Sequence, residues 1–103
     1  MSEALPEGEE LMPTRETAVR GLHGLRRVYL IGTVSPRDYR CRECHHTVSA
    51  RVLHVLVRYL QKSRSGYDHH HLHWACARDR LLPELSYLEE IPREHAPRPL
   101  KKR

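Results

Sequence analysis

The chain has 103 residues, enough for one domain with a modest core, and hydrophobic residues make up 39% of it with no Phe among them. Its formal charge of +5 speaks to association with a polyanion, most simply nucleic acid, and not to fold. No apolar run approaches the ~20 residues that span a bilayer, and the first residues are acidic, so neither a membrane-spanning helix nor a signal peptide is expected and the cytoplasm, including the nucleoid, is the expected location.

Along the chain, residues 1–14 combine four Glu with Pro6, Gly8 and Pro13 and read as a disordered acidic arm. The stretch TRETAVRGLHGLRR, from Thr14, reads as a short helix or turn weakened by Gly21 and Gly24. Arg27 to Val34 is rich in β-formers and predicts a strand leading through the loop SPRDYR to the first cysteine. RVLHVLVRYL, dense in Val and Tyr, predicts a second strand with Leu53, Val55, Val57 and Tyr59 on one face and His54, Leu56 and Arg58 on the other. Gly66 marks the turn that follows, and His73 to Leu82 reads as a short helix halted by Pro83. Leu85, Leu88 and Ile91 are spaced to pack as a last turn, after which residues 93–103 read as a disordered basic tail. The expected architecture is one small α+β module over residues 15–92, with a short antiparallel sheet, a C-terminal helix and disordered termini. Fifteen Arg against three Lys, with no Asn, resembles the composition expected from a GC-rich bacterial or phage genome.

All three cysteines, and seven of the nine histidines, fall between Cys41 and Cys76. Three cysteines in a reducing compartment argue for ligands over disulfides. Cys41 and Cys44 form C-x-x-C, and His73 and Cys76 form H-x-x-C. Each pair closes a tight chelate, and two such pairs gripping one ion make a closed tetrahedral zinc site that is structural, with no position left for an activated water. Neighbouring His45, His46, His69, His70 and His71 are surplus to that set, because His73 alone has the chelate spacing to Cys76. Two rival readings of the same residues are weaker. Cys41 to His45 spells the C-x-x-C-H of a c-type haem, but that attachment needs an exported protein. Asp68 with His69 or His71 is the only pairing that offers an open catalytic metal, and no enzymatic activity is expected.

The string C-x2-C-x28-H-x2-C resembles the zinc finger of the poly(ADP-ribose) polymerase type. Val48, Leu53, Gly66 and Trp74 stand where that finger has its apolar, loop and aromatic positions, and the resemblance covers about Ser35 to Leu88. It implies one zinc ion, a compact module, and recognition of DNA, with DNA breaks as the family's target. The chain departs from the family at Asp38 and His54, where basic residues are usual, and at Arg64 and Asp68, where base-stacking residues are usual. Arg37, Arg40, Arg42, Arg51, Arg58, Lys62 and Arg64 are the expected phosphate contacts, and Tyr67 the expected stacking residue. The alternative partner is a protein, with the module as an adaptor for replication or transcription machinery. Neither a membrane nor a small-molecule substrate is expected.

Overall fold

A computed structural model describes residues 11–61 and 66–97. Five antiparallel strands form the main sheet: β1 (Thr17–His23), β2 (Arg26–Thr33), β5 (His54–Leu60), β6 (Tyr67–His73) and β7 (Ser86–Pro92), in the order β6-β5-β2-β1-β7. A second, two-stranded ladder joins β3 (Tyr39–Arg40) to β4 (Thr47–Val48). Between β6 and β7 the chain is helical, starting as α1 (Trp74–Cys76) and running on through a wide turn at Ala77–Leu81 and a tight one at Leu82–Glu84. Pro83 lacks the N–H that a further helical turn would require, and Leu85 is extended.

The strands predicted around Arg27–Val34 and in RVLHVLVRYL are present, and so is the helical segment after His73. Two elements differ. Thr17–His23 is a strand, because Gly24 takes φ +65° and closes a two-residue hairpin in which His23 faces Arg26. The segment carrying Leu88 and Ile91 is a strand as well, pairing with β1 from Thr17↔Pro92 to Leu22↔Ser86 across a register shift. At that shift Tyr87 takes φ +55° and lies exposed, while Leu88 packs toward the core.

Both faces of the sheet are covered. On one, Val19, Val28, Leu30, Val55, Val57 and Leu72 pack with Cys41, Val48, Ala77, Leu81 and Leu82 of the knuckle and helix. The other carries Ala18, Tyr29, Ile31, Ile91 and Ala96. Met12 and Pro13, assigned from the sequence to the acidic arm, are buried, and Met12 belongs to the first cluster. Residues Arg93–His95, assigned to the basic tail, form a tight turn that seats Ala96 on the second face. Residues 1–10 of the arm and 98–103 of the tail lie outside the described residues. No helix among the described residues is long and apolar enough to cross a membrane.

Gly21 sits where β7 slips register against β1. A Cβ there would lie 2.8 Å from Leu88 Cδ2 and 2.9 Å from the Ser86 carbonyl oxygen, which, being backbone, cannot rotate away. Gly21→Ala is therefore expected to destabilise the fold by about 1–3 kcal/mol, seen as a lower midpoint in a thermal melt.

Candidate metal centre

The cysteine pair sits on a knuckle whose shape is set by its own backbone. β3 and β4 pair in the register Tyr39↔Val48 and Arg40↔Thr47, so residues 41–46 must reverse the chain. Cys41 N–H donates to the His46 carbonyl and His45 N–H to the Cys41 carbonyl, each at 2.9 Å, while Cys44 N–H points at Cys41 Sγ at 3.5 Å. Arg42 N–H donates to the His71 carbonyl at 3.0 Å and pins the knuckle against β6. His45 completes the reversal with φ +67°. That left-handed conformation costs an L residue roughly 1–2 kcal/mol and costs glycine almost nothing. Because His45 is exposed, His45→Gly is expected to leave stability unchanged or raise it by up to about 1 kcal/mol, and His45→Val to lower it, in parallel thermal melts.

The second pair straddles the junction of strand and helix. His73 ends β6 with extended backbone (φ −59°, ψ 148°), and the first helical turn brings Cys76 back beside it. His73 Nε2–H donates to the Thr47 carbonyl at 2.8 Å. This bond fixes the tautomer, so the Nδ1 lone pair faces the sulfurs, 3.3 Å from Cys44 Sγ and 3.8 Å from Cys76 Sγ. The ligand atoms of Cys41, Cys44, His73 and Cys76 all lie within 4.8 Å of one another, close enough to hold one metal ion. For comparison, a Zn–S bond of ~2.3 Å sets tetrahedral sulfurs about 3.8 Å apart. Arg80 donates to the Glu43 carbonyl at 3.3 Å and ties the helical segment to the knuckle.

Burial shapes the thiols. Cys41 is fully buried and the other three ligands are half-buried. Burial alone would raise Cys41, but the backbone N–H groups of Cys44, His73 and Glu43 outweigh it and bring this thiol down to about 6. Burial, together with the facing sulfurs of Cys41 and Cys44, pushes Cys76 up to about 12. A cation at the centre would favour the thiolate forms that burial and mutual repulsion oppose.

The surplus histidines divide. His54 is 1% exposed; its Nδ1–H donates to the Val52 carbonyl at 3.0 Å, so its Nε2 accepts from His71 Nδ1–H at 2.8 Å. His71 in turn stacks on Tyr39 at 3.6 Å and 8°. Burial, with His54 alongside, brings His71 down to about 4, and the hydrogen-bonded pair supports the base of the knuckle. Among the described residues, no second group of three or more such side chains is close enough to hold a metal. Trp74 packs against the core beside the ligands, with the Arg78 guanidinium 5.6 Å from its ring centre.

The basic candidates are less uniform than the sequence implies. Arg37, Arg40, Arg42 and Arg51 are exposed on or beside the knuckle. Arg58 is buried at 6% exposure and donates to the Pro97 carbonyl, because residues 93–97 fold over its face of the sheet. Tyr67 is half-buried in the second cluster, edge-on to Tyr29 at 6.3 Å, and so is packed rather than presented. Arg64 and Lys62 lie outside the described residues. The paired histidines and the Thr47 carbonyl were missed from the sequence; alternation along DHHHLH was the one available signal for His71. The chain matches no protein-family model, and no curated protein or solved structure is significantly similar to it.

Proposed function

We propose that the chain is a zinc-stabilised nucleic-acid-binding module, with DNA the favoured partner. Three thiolates and one imidazole are soft and borderline donors that suit Zn²⁺, and four protein ligands leave no position for a substrate water. The zinc is structural in this reading and the chain performs no catalysis. Cys41, Cys44, His73 and Cys76 would hold the ion, which supplies folding energy and fixes the knuckle.

The observation that carries the partner is the state of the arginines. Arg20, Arg26 and Arg78 are paired with Glu89, Asp68 and Asp79. Arg37, Arg40, Arg42 and Arg51 are exposed, and no carboxylate pairs with them among the described residues. Asp38, the nearest acid in sequence to Arg37 and Arg40, spends Oδ1 on the Ala50 N–H at 2.7 Å. Arg40 donates to the His45 carbonyl at 3.2 Å, and guanidiniums without carboxylate partners on and beside the knuckle suit a phosphate backbone. The resemblance to the poly(ADP-ribose) polymerase finger supports DNA, and breaks in it, as the form of target. Anisotropy titrations of duplex, nicked and single-stranded DNA test the reading. Salt-dependent binding is expected, and no binding to any of the three at low salt would end it.

A second reading has its own observation. Arg51 N–H donates to the Ser35 carbonyl at 2.8 Å, joining two loops that present Val34, Val52 and Leu53 at 38–52% exposure. An apolar tip suits a protein partner, with the module as an adaptor. Under this reading Val52→Asp with Leu53→Asp abolishes capture of the partner from nuclease-treated lysate while zinc content stays unchanged. Capture that survives the double variant rejects it.

A further inference from the structure

On the sheet face opposite the helix, a cavity of about 350 Å³ lies between the strands and the segment ending at Pro97. Ile31, Leu56 and Ala96 form apolar walls, and Arg58 and Arg93 both line it. No acidic residue lines it. Arg58 uses one donor on the Pro97 carbonyl, and Arg93 bonds the Gly32 and Arg15 carbonyls. Neither guanidinium has a carboxylate partner among the described residues.

Two like charges facing one space, one of them 6% exposed, is an arrangement that apolar surroundings penalise unless a counter-charge is present. Burial, aided by the Arg93 charge, holds the Arg58 guanidinium below its ordinary range. A planar guanidinium with free donors matches a carboxylate or phosphate headgroup bidentately. A bare ion would meet only the guanidiniums, whereas an anion with an apolar body would also contact the walls formed by Ile31, Leu56 and Ala96. At 6% exposure Arg58 differs from the exposed arginines of the knuckle.

We propose that the cavity binds a small organic acid, an oxyanion headgroup on a short apolar chain, with Arg58 and Arg93 holding the headgroup. The test is calorimetric titration of the full, zinc-loaded chain with hexanoate, hexyl phosphate and hexylamine. Hexanoate or hexyl phosphate binds, the tighter of the two naming the headgroup, and hexylamine does not. Arg58→Met and Arg93→Gln each weaken the acid by about tenfold or more, as expected for a charge-assisted hydrogen bond. Arg93 is only half-buried, so its variant keeps the test alive if Arg58→Met melts early without any probe. Failure of both acids to bind, equal binding of hexylamine, or affinities unchanged in both variants would overturn the proposal.

Discussion

Replacement of Cys41 or His73 by Ala, or withdrawal of the metal with a strong chelator, is expected to abolish the cooperative thermal transition. The magnitude follows from what the site holds together. Structural zinc contributes on the order of 10–16 kcal/mol of apparent binding energy in small modules, while a whole domain is stable by only about 5–15 kcal/mol. In this chain the ion would join the knuckle to the start of the helical segment, and both supply one wall of the main core. Cys41, Val48, Ala77, Leu81 and Leu82 cover Val28, Leu30, Val55, Val57 and Leu72. Without the metal, three facing thiols and an imidazole lose their common partner, and that wall leaves the sheet. Trp74 directly follows a ligand and is the only Trp of the chain, so its fluorescence reports the event. A chelated or Cys41→Ala chain that melts like the parent would contradict the structural role.

The second large effect concerns salt. If Arg37, Arg40, Arg42 and Arg51 each neutralise one phosphate, log K falls against log salt with a slope near −3.6, and affinity drops about 10²-fold between 50 and 200 mM salt. Replacing Arg40, Arg42 and Arg51 together by Ala should bring the slope to about −0.9 while leaving zinc content unchanged. Arg58→Ala should leave the slope where it is, because that side chain is buried against Pro97. A slope unaffected by the triple variant would remove these arginines from the interface.

Legibility in the sequence followed the range of the interactions concerned. The candidate ligand set was readable because each pair is local: two residues separate Cys41 from Cys44, and two separate His73 from Cys76. β2 and β5 were readable from dense Val, Ile and Tyr. β1 and β7 were not, since β1 is paired by both β2 and β7, and among the described residues β7 pairs only with β1, across a register shift. Gly21 looked like a helix breaker, yet it makes room for Leu88 across the bulge. Leu85, Leu88 and Ile91 have helical spacing only because that bulge interrupts the alternation of β7. The face of Arg58 was read correctly as opposite to Val57, but its burial comes from Arg93–Pro97, 35 to 39 residues further along the chain. His54, similarly, looked like a substitution for a basic contact and is instead a buried partner of His71.

The central claim is that Cys41, Cys44, His73 and Cys76 hold one zinc ion. Native mass spectrometry of the untagged chain against its denatured mass tests it most directly, repeated with His73→Ala and Cys76→Ala. The account predicts one tightly held zinc in the parent chain and none in either variant. An absence of zinc from the parent, or a zinc retained by both variants, would contradict it.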